Sequence, residues 1–241
     1  MRELLLAACA ACSVVCVAEA KQFVVNGDFT QLSNGVGQFD TNTTVVGWSG
    51  NGGYDFVFNS ADAGGPGRYG GVSLWDAANG GATSWNGLSS LGAGANFAAL
   101  DGDFETDPIS QTITGLTPGR QYYLSFDYGF GQQYGFYGDT QQTLTVTFGG
   151  TLNSTSPIYN LNSTGGSGWM SAGGFVTADA TSDVLSFLAY GNLPVPPFAL
   201  VSNVSLTGAG APEASTWALM LAGFAGLGLA GWRSRRVARA A

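Results

Sequence analysis

The stretch DGDFETD places carboxylates at every second position: Asp101, Asp103, Glu105 and Asp107. Oxygen ligands crowded in this way suit calcium, a hard cation that takes about 6–8 of them. The glycine that an EF-hand needs after its third acid is missing, so the spacing is not that motif. The plain alternative is a solvated acidic loop leading into a strand. A second stretch, DYGFGQQYGFYGDT (127–140), combines Phe130, Tyr134, Phe136 and Tyr137 with Gln132, Gln133 and Asp139. Aromatic faces stack on pyranose rings while amides and carboxylates bond sugar hydroxyls, so this composition fits glycan binding. Trp48, Tyr54, Tyr69, Trp75 and Trp85 lie in further loops and are candidates to extend such a surface. Equally, these rings can pack beneath long glycine-rich loops as satellite clusters. A third chemistry, glycoside hydrolysis, needs two carboxyls about 5 Å or about 6.5–9.5 Å apart. Asp101, Asp103, Glu105 and Asp127 are the candidates, but spacing along a chain does not give those distances, and no catalytic residue is assigned.

The absent residue types narrow the field further. The chain has no histidine, which removes the commonest general base, the commonest transition-metal ligand and every triad that depends on one. Its three cysteines, Cys9, Cys12 and Cys16, all lie in the first twenty residues. The rest of the chain therefore has no disulfide or thiolate ligand and relies on core burial. Between Lys21 and Ala211 three basic residues (Lys21, Arg68, Arg120) face thirteen acidic ones. Such a surface repels nucleic acid, which needs a basic footprint. No cofactor is expected apart from the calcium considered above.

The elements that must position these residues read as β-strands. QTLTVTF (142–148) sets Leu144, Val146 and Phe148 on one face and threonines on the other. YYLSFDY (122–128), ISQTIT (109–114), VLSFLAY (184–190) and ALVSNVSL (199–206) alternate in the same way, as half-buried antiparallel strands do. LTPGR (116–120) joins two of these runs with Pro-Gly turn chemistry. The expectation is an all-β fold: an antiparallel β-sandwich, of jelly-roll type, over residues 21–207. FVVNGDF (23–29), FAALDGD (97–103), ISQTITGLTPGRQYYLSFDY (109–128) and ALVSNVSL resemble the landmarks of galactose-binding-like jelly rolls. That resemblance implies the fold and a leaning toward carbohydrate. Members often carry Asp before the final Asn-Val, where this chain has Ser202.

Both ends read as addresses. MRELLLAACAACSVVCVAEA has one arginine, an apolar run and then Ala18-Glu19-Ala20, the pattern of a secretory signal helix (1–20) cut by signal peptidase before Lys21. Leu6-Ala7-Ala8-Cys9 is a lipoprotein-box alternative, with a shorter apolar run before it than a signal core requires. At the other end a short linker (208–211) leads to Pro212, and no charge interrupts Ala214 to Trp232. Those nineteen residues make about 28 Å of helix, enough to cross a hydrocarbon core of about 30 Å. Trp217 and Trp232 bracket the span, and Arg233, Arg235, Arg236 and Arg239 follow it in the basic tail 233–241. Positive residues stay cytoplasmic, so the span is oriented to export the domain before it.

Pro212-Glu213-Ala214-Ser215-Thr216-Trp217, the span 214–232 and the arginine cluster together resemble the PEP-CTERM sorting signal (212–241), with Ala214 in place of the usual second proline. The resemblance implies an exosortase as partner, cleavage near Pro212-Glu213, and delivery to the surface or exopolysaccharide matrix of a Gram-negative cell. A permanent membrane anchor with a cytoplasmic C-terminus is the plainer alternative. The sequence thus points to a non-enzymatic exported surface or matrix protein that is associated with exopolysaccharide or biofilm and binds polysaccharide. The alternative function is a carbohydrate-active enzyme on the same scaffold.

Overall fold

Threonine, valine and aromatic residues at period two build a surface that is apolar on one side and hydroxyl-rich on the other, which two packed sheets can bury. The computed structural model, described over residues 21–60, 63–64, 71–81, 95–192 and 195–208, has this arrangement. The strands in chain order are β1 (Gly37–Gln38), β2 (Phe56–Asn59), β3 (Asn96–Asp101), β4 (Ile109–Thr114), β5 (Gln121–Gln132) and β6 (Thr140–Phe148). They continue as β7 (Leu152–Thr155), β8 (Tyr159–Leu161), β9 (Met170–Thr177), β10 (Ser182–Gly191) and β11 (Pro197–Gly208). One sheet has the order β1-β2-β3-β11-β5-β9; the other has β4-β10-β6-β7, with β8 also on β6. Every strand pair is antiparallel.

The main core lies between the sheets. Leu124 and Phe126 of β5 and Val201 and Leu206 of β11 meet Leu144, Phe148, Leu185 and Phe187 of the second sheet. The run 142–148 sits as its pattern requires, with Leu144, Val146 and Phe148 buried and the threonines between them pointing outward; ALVSNVSL departs from half-burial, because residues 199–202 are covered on both faces. The 116–120 turn closes with Arg120 N–H donating to Thr117 O at 3.0 Å, and Gly119 takes φ 77°. It carries the chain from β4 in one sheet to β5 in the other.

A second core lies on the outer face of the first sheet. There Phe56, Phe58, Phe97, Phe198 and Leu200 pack against Ala63, Val72 and Leu74. Strand β3 is consequently buried on both faces along its whole length.

The N-terminal segment is tied to β11. Gln22 forms an isolated bridge with Thr207, and Phe23 N–H donates to Leu206 O at 2.9 Å. Gly27 lies against the β-bulge of β11, where Val204 N–H donates to Gly27 O at 2.9 Å and Asn203 takes φ 51°. The side chain of Gln111 pairs with Val25 as a strand backbone would, accepting from its N–H and donating to its carbonyl, both at 2.8 Å. The signal segment 1–20, the linker residues 209–211 and the sorting segment 212–241 lie outside the described residues. Among the described residues no helix is long and apolar enough to cross a membrane.

Candidate functional site

Two segments that are remote in sequence meet at one end of the sandwich. The loop after β5 is held from below: Gln132 Nε2 donates to Gly138 O (3.1 Å) and Thr140 Oγ1 (3.0 Å), and Gly138 N–H donates to Ser163 Oγ (3.0 Å). It is held from the side by the 73–75 segment, where Tyr134 N–H donates to Ser73 O at 2.8 Å and Trp75 N–H to Gln132 O at 2.9 Å. Trp75 is the hub of this loop. Its indole is buried, its Nε1–H donates to Phe136 O at 2.8 Å, and its ring lies 4.6 Å from Tyr134 and 5.2 Å from Tyr137. Tyr134, Phe136 and Tyr137 are left exposed, Tyr137 at 68 %.

Facing them is the loop that follows β3. Asp101, itself buried, accepts backbone N–H bonds from Asp103, Phe104 and Glu105 at 3.0–3.3 Å, which folds the 101–105 turn and pushes Phe104 outward to 71 % exposure. Tyr54 packs edge-on against Phe104 with centroids 5.7 Å apart, and its N–H donates to Glu105 O at 2.9 Å. Between these walls is a cleft of about 310 Å³, within the usual size range of small-ligand sites, about 300–1,000 Å³. Tyr54 and Phe104 form one wall, Phe136, Gln133 and Pro196 the other, and Asp103 opens into it. Burial, and then the charges of Asp101 and Glu105, raise the Tyr54 phenol above its ordinary range, so it stays a hydroxyl donor at neutral pH.

Several candidates read from the sequence serve other purposes. Gln132 is fully buried, with its amide NH₂ spent on the loop, so it is not a ligand contact. Asp139 is exposed and its Oδ1 accepts from Ser163 N–H at 2.9 Å, closing the loop from behind. Phe130 is a core residue stacked on Tyr159 at 5.3 Å, and Trp48 is a core residue whose Nε1–H donates to Val25 O and Asn26 O. Tyr69 and Trp85 lie outside the described residues.

The calcium reading of Asp101, Asp103, Glu105 and Asp107 is corrected. Asp101 points its oxygens at backbone N–H groups, while Asp103, Glu105 and Asp107 are exposed. Among the described residues no three acidic side chains converge as a metal cage. A carboxylate pair that includes Asp127 is also not formed. Asp127 pairs with Ser202, whereas Asp101 pairs with Phe198, four positions and about 13 Å further along β11. Both Asp127 oxygens are engaged, by Ser171 Oγ (2.6 Å) and Asn203 Nδ2 (2.8 Å). Ser202 is buried and donates to Asn96 O at 2.7 Å.

One functional group went unmarked in the sequence. Asp55, just before β2, is fully buried beneath the 101–107 loop, and its Oδ1 accepts from Asp101 N–H at 2.9 Å. Burial raises its carboxyl well above the usual carboxylate range; the Asp101 N–H opposes this, and the charges of Asp101 and Asp107 add to it. The folded state therefore holds a proton that the unfolded chain releases above about pH 3.9. Stability should fall as pH rises from about 4 toward the raised pKa. Asp55→Asn should flatten that fall, as read from urea midpoints between pH 4 and 8.

No protein-family model and no curated protein matches the sequence. Among solved structures, the chain is similar to the carbohydrate-binding module TmCBM61 in complex with β-1,4-galactotriose. That match has 13 % identity and a TM-score of 0.38, and covers 78 % of this chain and 99 % of that one. A structure described as CBM4 is similar at 14 % identity and TM-score 0.34, covering 76 % of this chain and 98 % of that one. The enzymatically active domain of a tailspike from bacteriophage CBA120 is similar at 14 % identity and TM-score 0.36, covering 78 % of this chain and 21 % of that one. All three scores fall below 0.5, and the fold described here rests on the strand order and register above.

Proposed function

We propose that this protein is a non-catalytic glycan-binding jelly roll of the galactose-binding-like kind, exported and sorted by an exosortase to a cell surface or extracellular polysaccharide matrix. The observation that carries the binding half is the convergence of Tyr54 and Phe104 with Phe136 around one cleft, with Tyr134 and Tyr137 of the same loop packed on Trp75. Exposed rings on two walls, with Gln133 and Asp103 between them, offer stacking faces and hydrogen-bond partners together. Asp101 and Asp103 line the cleft, with no basic group among its described lining residues, so the favoured ligand is a neutral polysaccharide and uronic or sulfated chains are repelled. Retardation in gels cast with neutral and with acidic polysaccharides tests this. Retardation by a neutral chain whose length stays unchanged is the expected result. Shortening of the chain would favour the enzyme reading, and no retardation by any chain would remove the binding reading.

The sorting half rests on the order Pro212-Glu213, uncharged span 214–232 and arginine cluster. The intact mass of the protein from its host's envelope and medium tests it. A species running from Lys21 to about Pro212 is expected. One that retains Trp217 to Ala241 would make the tail a plain anchor.

A further inference from the structure

The wall of the cleft continues onto the second sheet. Asp101 and Asp103 line the cleft on either side of Gly102, and Gly102 O accepts from the N–H of Gly191, the last residue of β10, at 2.8 Å. Main chains joined in this way lie about 5 Å apart, so β10 ends within a residue's width of the cleft wall. On its far side is a shallow recess of about 200 Å³, whose walls include Gln141, Thr143, Ile158, Tyr190 and Asn192. Alternation along β10 buries Phe187 and Ala189 and turns Tyr190 outward, where it is 52 % exposed. Its ring packs on no other ring among the described residues. Asn192 Oδ1 accepts from Gln141 N–H at 2.6 Å, and Gln141 Nε2 donates to Asn160 Oδ1 at 3.0 Å. These bonds fix both amides beside the tyrosine and leave Gln141 Oε1 and Asn192 Nδ2 without a partner among the described residues. No charged side chain is among the described lining residues of this recess.

We propose that this recess is a second sugar subsite, which takes the same neutral chain where it leaves the cleft over the Gly102–Gly191 bridge. The inference rests on the glycan-binding reading of the cleft and adds to it the class of ligand: a chain of several units, not a mono- or disaccharide. Tyr190 offers a stacking face, Gln141 Oε1 an acceptor and Asn192 Nδ2 a donor for sugar hydroxyls. A lone exposed tyrosine on a sheet needs no explanation. What marks this one is its company: unspent amides held in place, an uncharged surround, and one hydrogen bond between it and the cleft wall. Two shallow subsites on one chain gain from linkage, because the second contact forms within a complex that already exists.

The test uses the full chain in a sugar-free detergent, titrated by calorimetry with the disaccharides and hexasaccharides of β-glucan, galactan and mannan. In a series that binds, the hexasaccharide should bind at least tenfold tighter than the disaccharide. Tyr190→Ala should cost about tenfold in hexasaccharide affinity and leave the disaccharide, held in the larger cleft, unchanged. Phe136→Ala, in the cleft wall, should weaken both lengths. Tyr123→Ala, which removes an exposed tyrosine from the outer face of the first sheet, should weaken neither. A hexasaccharide no tighter than its disaccharide overturns the second subsite, as does a Tyr190→Ala variant that binds the hexasaccharide unchanged or loses both lengths equally; in each case the cleft remains the binding site. If no series binds, the glycan-binding reading falls and this inference falls with it.

Discussion

Gly27→Ala is expected to destabilise the protein by about 3–5 kcal/mol, at the severe end for one added methyl group. The Cβ would lie 1.9 Å from the Val204 carbonyl oxygen and 2.9 Å from its carbon, inside any allowed contact. The obstacle is main chain in a central strand, so no rotamer change relieves it. Either β11 shifts at its bulge or the 26–29 turn lifts, and lifting costs the Val204 to Gly27 hydrogen bond of 2.9 Å as well, worth about 1 kcal/mol. The turn has little slack. Phe29 is already held at φ 54°, a strained conformation for a bulky residue, with its ring buried against Trp48 at 5.2 Å. For a domain of this size the loss corresponds to a Tm drop on the order of 10 °C. Gly174→Ala in β9, where a Cβ meets nothing within 4 Å, is the control and should stay within about 0.5 kcal/mol. Thermal melts of the two variants check the contrast, and equal Tm values would refute the close-approach explanation.

Trp75→Ala should abolish retardation by polysaccharide while leaving the sandwich folded. The indole touches Tyr134 and Tyr137 and holds the Phe136 carbonyl, so its removal frees three exposed rings at once. Tyr137→Ala alone removes one stacking face. Truncation of an aromatic anchor costs about 2 kcal/mol, near thirty-fold in affinity, and the Trp75 variant should exceed that. Trp75→Phe keeps the ring but loses the Nε1–H donor, so it should restore part of the binding. Far-ultraviolet circular dichroism of each variant separates loss of the loop from loss of the fold. Unchanged retardation in both Trp75→Ala and Tyr137→Ala would move the ligand to another surface.

The strands that face water on one side were legible, because β4, β5, β6 and β10 each keep a polar row between apolar ones. Strands β2 and β3 were not legible by alternation. They are covered on both faces, so FVFN and NFAALD carry no polar period. The aromatic loop was found because its composition is local to one stretch. That it shares a cleft with Phe104 was not visible, since a separation of some thirty residues is closed only by the sheet order. Asp55 was not singled out in the sequence. Nothing local marks it as buried, because its burial comes from the 101–107 loop folding over it. The NGDF landmark has its physical reason in Gly27, which only contact with the other end of the chain explains.

Strand β11 has the cleft residue Pro196 just before its first residue and Gly208, the last described residue before the tail, at its other end. Its twelve residues span roughly 35 Å. A molecule gripped by polysaccharide in the cleft and tethered through its tail would therefore be pulled along the axis of this one strand. β11 is flanked by β3 and β5, with ladders on both sides, and hydrogen bonds perpendicular to the pull share the load in shear instead of peeling one after another. On the proposed function, the strand order would set the strongest direction of the domain along the line between the cleft and the tail.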